Sequence, residues 1–459
     1  MQELKYSHFS EHIVLILGYP YNQIVQAMQN RFGDTSLPKI VIIGGGFAGL
    51  ELIKRLNNLP YRVVLIDKYN YHTFQPLLYQ IASAGLTAES IAYPLRRKIG
   101  KYPNIAFRLA EVTGIDKTQK KVHTSAGDFN YDYLIIAAGA TTNFYGNVNL
   151  ETKTYTLKSI PEALSMRSAI LQQFENAVLQ AAGNPEKQKL NFIIVGGGPT
   201  GVELAGALAE IKKNVLPSDY RELDPEKMEI HLIEGSNRIL PTMSEKASRL
   251  SKKYLEDLGV TVWLNTLVSD YTGTELILKD GKSISSDHVI WTAGVKGAVI
   301  EGIDAAAITR GNRIMVNGFN EVADHKDIYA IGDIALMQTD KAFPNGHPGV
   351  AQVALQQASN LAENFKRMSA KKPLKPFIYK NKGNMATVGR HRAVVDLPRY
   401  SFGGYFAWYI WMFIHLMSLV GFRNRFMVFI NWMWNYITYD RALRIIINNI
   451  SPTKKQELN

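Results

Sequence analysis

Two stretches of the chain, 152 residues apart, carry one pattern: an apolar strand, a glycine turn and a helix. In the first, Ile40-Val41-Ile42-Ile43 has the length and branching of a buried parallel strand. It runs into Gly44-Gly45-Gly46-Phe47-Ala48-Gly49, a G-x-G-x-x-G, and Leu50, Ile53 and Leu56 follow at helical spacing. Gly44 permits the tight turn, Gly46 lets backbone approach a pyrophosphate, and Gly49 lets the helix lie close to the strand. The helix N-terminus then offers unpaired N–H groups to phosphate. The next strand, 61–66, ends in Asp67, 18 residues after Gly49, where a carboxylate can accept from ribose hydroxyls.

The second copy is Asn191-Phe-Ile-Ile-Val-Gly196-Gly-Gly198-Pro-Thr200-Gly201. Its helix carries Val202, Leu204, Ala205, Leu208 and Ile211, and its following strand, 229–234, again ends in an acid, Glu234. The far ends of the two units match as well: 287–294, ending in Gly294, echoes 132–139, ending in Ala138-Gly139, at an offset of 155. A repeat with matched spacing at both ends implies two dinucleotide-binding domains, one inserted in the other. Between the copies of the pattern, 104–129 reads as a meander, and within the second copy 212–227 reads as a polar insertion before strand 229–234. Beyond the second unit, 327–333 is a short strand ending in Gly332-Asp333, and 348–357 opens a helix.

The last segment changes character. Tyr405 to Val420 and Phe426 to Ile437 are apolar and aromatic, separated by Arg423 and Arg425, and a third apolar stretch covers 442–450. Trp408, Trp411, Trp432 and Trp434 lie here, a distribution suited to a membrane–water interface. Charge agrees: the whole chain is +12, yet residues 366–399 carry ten basic residues against one acidic, and 400–459 carry six against two. The basic C-terminal end therefore points to an anionic surface. No nucleic-acid motif accompanies it, so nucleic acid is not the expected partner. There is no cysteine, which excludes disulfides, thiolate metal sites and thiol redox chemistry.

These motifs resemble the flavoprotein pyridine-nucleotide reductases, and within them the type II NADH dehydrogenases, from about Leu37 to Ala442. The resemblance rests on YNYHTFQPLLYQIASAGL (69–86), GGGPTGVELAGALAE (196–210), LIEGSNRILP (232–241), AIGDIA (330–335), HPGVAQVALQQA (347–358) and HLMSLVGFRNR (415–425). It implies FAD and NADH as cofactors and membrane quinone as the electron acceptor. Gly44, Gly46, Phe47, Ala48, Gly49, Asp67, Ala138, Gly139, Gly332, Asp333, Ala351 and Gln352 are then expected at FAD. Gly196, Gly198, Thr200, Gly201, Glu203, Glu234 and Gly294 are expected at NADH. Glu203, Gln352 and Gln356 carry the expected catalytic roles, Glu203 near the nicotinamide–flavin contact as a proton relay or as a plain first-turn helix acid. Gln352 and Gln356 share a helix face, and the resemblance places them by quinone and flavin. His72 reads as structural, and His415 as packed or at a headgroup. Sulfide:quinone and glutathione-type reductases share the architecture but need redox cysteines, which this chain lacks.

The expected fold is α/β: two nested Rossmann-like dinucleotide-binding domains plus a C-terminal membrane-associated amphipathic helical segment. The expected divisions are an extension (1–36), the FAD-binding domain in two parts (37–150 and 311–385, the second with the quinone-site helix), the NADH-binding domain (151–310) and a membrane-anchoring region (386–459). The expected activity is non-proton-pumping NADH:quinone oxidoreduction by a peripheral protein on an anionic lipid surface, at the cytoplasmic face of a bacterial inner membrane, with a homodimer compatible. The alternatives are a soluble FAD-dependent reductase with a protein or dye acceptor, and a slow-turnover signalling flavoprotein. No metal is expected.

Overall fold

A computed structural model describes residues 36–183, 190–298, 300–438 and 443–446. The expected extension, but for its last residue, lies outside the described residues, as does most of the third apolar stretch. Two compact units emerge. The first takes the chain to residue 72, then 94–139 and 297–379; the second takes 73–93, 140–296 and 380 onward. Residues 73–93, expected with the first domain, belong to the second unit instead, because helix Leu78–Ala82 packs on the helices that follow Ser159 and Gly198 there.

The first unit is built on an eight-stranded sheet. At its centre β1 (Lys39–Ile43) lies parallel to β2 (Arg62–Asp67) on one side and to Tyr133–Ile136 on the other, with Ile40 opposite Val63 and Tyr133. All five β1 residues but Lys39 are buried, as a central parallel strand requires. Helix α1 (Phe47–Leu56) follows the glycine turn and packs against the long helix Ala351–Ser369. Ile105–Leu109 joins the outer edge of β2, so the meander read over 104–129 is shorter than expected: only 112–130 forms a separate antiparallel sheet.

The second unit repeats the plan. β3 (Leu190–Val195) lies between Met228–Ile233, which is β4, and His288–Trp291, all parallel. Helix α2 (Pro199–Asn214) follows its glycine turn, so the polar insertion starts later than its composition suggests. After residue 380 a three-stranded antiparallel sheet leads into α3 (Tyr405–Ser418) and α4 (Phe422–Thr438). Among the described residues no helix is long and apolar enough to cross a membrane.

The last helix is inside out. Its inward stripe is Asn424, Val428, Trp432 and Asn435, while Phe422, Phe426, Phe429, Met433, Trp434 and Ile437 face outward. In α3 likewise Ala407 and Trp411 are buried, and Phe406, Tyr409, Phe413 and Met417 are exposed. Trp411 and Trp432, which composition alone placed at a membrane interface, are core residues; of the four, Trp434 is the strongly exposed one.

Candidate functional site

Each unit carries a glycine cradle, and its glycines have separable reasons. Gly44 and Gly196 sit at φ +103° and +113°, where a side chain is strained. A Cβ on Gly49 would stand 1.9 Å from the Gly44 carbonyl oxygen, and one on Gly201 2.0 Å from that of Gly196. Those positions are glycine so that helix and strand can close together. Gly46 and Gly198 differ. Their backbones are ordinary and extended (φ −69° and −71°), and nothing lies within 4 Å of an added Cβ. No protein atom demands glycine there, so the open space suits a ligand that comes against the backbone at a helix N-terminus. Phe47 and Ala48 open α1, and Thr200 is exposed in the first turn of α2. These residues fit a dinucleotide in each unit.

The two strand-end acids hold their turns identically. Asp67 accepts from the Gly45 N–H at 2.6 Å and the Tyr69 N–H at 2.7 Å. Glu234 accepts from the Gly197 N–H at 2.7 Å and the Ser236 N–H at 2.7 Å. Carboxylate oxygens can take further bonds, so each acid can fix its loop and still meet a ribose hydroxyl. Burial holds the Asp67 carboxyl above its usual range, opposed by those two N–H donors. His72 is structural: buried, its Nδ1 is 3.0 Å from the Gly45 oxygen, and burial lowers its pKa.

The rest of the first unit's site gathers round Gly332, at φ +76°. Its N–H donates to Gln357 Oε1 at 2.7 Å, and Gln357 is buried. Sequence reading missed this glutamine in favour of Gln352 and Gln356, which are both half-buried. A polar residue on the buried face of an amphipathic helix was the available signal. An added Cβ on Gly349 would lie 3.3 Å from Asp333 Cγ, so a side chain there would press on that acid. The half-buried Arg313 donates to the Ala335 and His347 carbonyls near it. Burial lowers the Arg313 pKa, with Asp333 opposing. Ala351 starts the long helix, and the Tyr379 hydroxyl is 3.5 Å from Gln352 Oε1. Gly139, after Ala138, is open like Gly46, whereas a Cβ on Gly294 would meet the Tyr145 hydroxyl at 2.2 Å.

Glu203 lies on α2, two residues past Gly201. It is 7 % exposed, on the inward face of α2. Burial pushes its carboxyl up to about 8; the Thr387 N–H, 3.5 Å away, and the Trp411 indole pull the other way. At neutral pH it therefore holds a proton. It lines a cavity of roughly 130 Å³ with Tyr79, Gln80, Thr387, Trp411 and Trp432. Gln352 and Gln356 do not line this cavity. Its wall is held from outside by α4. The Trp432 indole donates to Gln80 Oε1 at 2.8 Å, Asn435 donates to the Gly85 carbonyl at 3.1 Å, and Asn424 to that of Ala92 at 2.8 Å. His415 packs rather than facing a headgroup: it stacks on Trp411 at 4.1 Å and burial lowers its pKa to about 4.

Comparison with known proteins bears on the arrangement. The family model described as pyridine nucleotide-disulphide oxidoreductase matches residues 38–358, and one described as the NDH2 C-terminal domain matches 381–439. The type II NADH:quinone oxidoreductase NdhA of Mycobacterium tuberculosis is 36 % identical over 411 residues, covering 86 % of this chain and 86 % of that protein. The type II NADH:quinone oxidoreductase of Haemophilus influenzae is 32 % identical over 393 residues, 79 % of this chain and 87 % of that one. The structure of NDH2 from Plasmodium falciparum in complex with NADH superposes with a TM-score of 0.80 at 24 % identity, covering 90 % of this chain and 100 % of that one.

Proposed function

Given that the chain belongs to the type II NADH:quinone oxidoreductases, we propose that the quinone ring enters the Glu203 cavity from the lipid side of α3 and α4. The observation that carries this reading is that one cavity joins a buried carboxyl, whose pKa burial raises, to aromatic side chains of two inside-out helices. FAD and NADH are the cofactors, and FAD, when bound, takes hydride from NADH and gives two electrons to quinone. Gly46 and Gly198 admit the phosphates of the two dinucleotides, and Asp67 and Glu234 hold their turns and riboses. Ala138, Gly139, Gly332 and Asp333 belong with the flavin, and Gln352 and Gln356 present amides towards it. Glu203 holds the proton that a reduced quinone oxygen takes. The test of the whole is direct: the purified protein shows a flavin spectrum, NADH bleaches it and quinone restores it. Restoration by a soluble iron–sulfur protein but not by quinone would favour the soluble-reductase alternative instead.

The lipid-facing half of the proposal rests on surface chemistry. Contiguous exposed apolar side chains on α3 and α4 form the kind of patch that marks an interaction surface. We assign it to bilayer lipid rather than to a second copy because the C-terminal end is strongly basic, and a basic segment near anionic lipid gains about 1 kcal/mol per residue. NADH then reaches the enzyme from the cytoplasmic face of a bacterial inner membrane. The double substitution Phe413→Glu with Phe426→Glu is expected to cut binding to vesicles containing anionic lipid by about tenfold or more, measured by flotation. Equal flotation of variant and parent would show that lipid does not cover this face.

Coenzyme choice follows from Glu234. Its negative charge repels the 2′-phosphate of NADPH, while its oxygens are held by Gly197 and Ser236. Glu234→Gln turns one acceptor into a donor facing an N–H. The expected result is a higher KM for NADH and an NADH/NADPH ratio of kcat/KM about tenfold narrower. An unchanged ratio would remove Glu234 from coenzyme selection.

A further inference from the structure

A proton given up by Glu203 has to be replaced, and α2 carries a second carboxyl on the same stripe. Glu203, Ala207, Glu210 and Asn214 follow at i, i+4, i+7 and i+11, and all four line the one cavity. Both carboxyl residues are buried, Glu210 at 9 % exposure, and Asn214 is half-buried at the C-terminal end of the helix. The stripe thus climbs from core to surface. Seven residues of helix put the two acids roughly 10 Å apart along its axis, too far for direct transfer. The small Ala207 between them leaves the cavity open, and its roughly 130 Å³ has room for a chain of waters.

Glu210 is oriented rather than loose. One oxygen accepts from the Arg390 N–H at 3.1 Å and the other from Asn214 Nδ2 at 2.9 Å. Of the groups that face it, the Arg390 guanidinium is turned away, donating to the Asn435 carbonyl at 2.6 Å and lying over the Tyr436 ring. His391 feels the charge of Glu210 from the same loop, and its own pKa is lowered by burial. Tyr79 comes from the helix packed on α2, and Tyr436 from α4. Among the described residues the remaining charged group on the cavity wall is Arg390.

We propose that Glu210 is the proton-loading carboxyl of quinone reduction, taking a proton from solvent at the Asn214 end and passing it through cavity water to Glu203. This rests on Glu203 as the donor to quinone. Per turnover NADH becomes NAD⁺ and supplies two electrons and one hydrogen nucleus; the second proton of the quinol comes from solvent by this route. One O–H bond forms on the quinone as the Glu203 O–H breaks. Glu203 is then reprotonated at the expense of the Glu210 O–H, and Glu210 by water.

The test uses the full-length FAD-loaded enzyme in liposomes. Turnover with quinone is divided by turnover with ferricyanide, which takes electrons without protons, across pH 6–9. Glu210→Gln is expected to lower that ratio about tenfold or more at pH 8. Glu210→Asp restores most of it, and added imidazole, a mobile proton carrier, relieves the loss in the Gln variant. A normal ratio in Glu210→Gln beside a low one in Glu203→Gln overturns this inference and leaves the Glu203 reading standing. A normal ratio in Glu203→Gln overturns both. Equal losses in the Gln and Asp variants, with no relief by imidazole, reduce Glu210 to a wall of the cavity and overturn the route.

Discussion

Gly46→Val yields a folded protein without flavin. The backbone at this position has the extended geometry that any residue adopts, and an added Cβ meets no protein atom within 4 Å. The substitution therefore costs the apoprotein little, while the branched side chain fills the space that a pyrophosphate needs. FAD affinity is expected to fall by about 100-fold or more, the weight of roughly two lost charge-assisted hydrogen bonds at 1.5–3 kcal/mol each. Flavin released on denaturation, set against far-UV circular dichroism, reads the two effects separately. Gly198→Val does the same to NADH, raising its KM while the flavin stays bound. Gly49→Ala is the contrasting case. Its Cβ would stand 1.9 Å from the Gly44 oxygen, so helix and strand must part and the first unit loses stability with or without flavin. Normal flavin content in Gly46→Val would remove the cradle from the FAD site.

Glu203→Gln should slow quinone reduction and make the protein more stable in alkali. The native carboxyl keeps its proton to about pH 8, whereas in the unfolded chain it ionises near its ordinary value of 4.5. Between those values the native state binds more protons, so stability falls as pH rises. The contribution is fully present below pH 4.5 and lost as pH climbs through 8. At about 1.4 kcal/mol per pH unit the loss reaches about 5 kcal/mol. Glutamine keeps the shape and cannot ionise, so at pH 9 the variant should melt a few degrees above the parent, and at pH 5 it should show no such gain. The same substitution removes the acid, and reoxidation by quinone should slow by about 10²-fold. In the parent, the quinone-linked rate should fall as pH rises through 8. Parallel melting curves at pH 9, or reoxidation at the parental rate, would each count against a buried protonated Glu203.

What could be read from the sequence and what could not divide along chain distance. The cradles were legible because strand, turn, helix and acid lie within 31 residues in the first copy, Leu37 to Asp67, and local geometry fixes them. Gly46 could be assigned to ligand approach before any coordinate was known, and so could the strand-end acids, although their bonds to the glycine turns could not. The cavity was not legible as a cavity. Gln80, Glu203, Thr387, Trp411 and Trp432 come together only through tertiary folding, and no local pattern links them. Glu210 and Gln357 were passed over for the same reason. Each is a polar residue on a helix face that periodicity makes apolar, a conflict that can be noticed in a sequence, while the partners that resolve it lie 180 and 25 residues away. The tryptophans misled because composition records amphipathic rings without saying which way a helix turns them. Residues 73–93 changed unit because their partners are α2 and the helix Ile160–Gly183 rather than the neighbouring strand.

The inside-out helix α4 has a consequence for how much of this protein a cell can carry. Its outward side chains are ones that a water-soluble surface does not tolerate in a row, and its inward polar ones are already committed to Gln80, Gly85 and Ala92. The helix cannot roll over to hide them without giving up those bonds. With lipid as the proposed cover of this face, each newly made copy needs bare bilayer, and copies made after the bilayer is occupied have only one another to adhere to. Under that proposal available membrane area, rather than rate of synthesis, is expected to set the ceiling on dispersed enzyme, and overproduction beyond it is expected to go into aggregates.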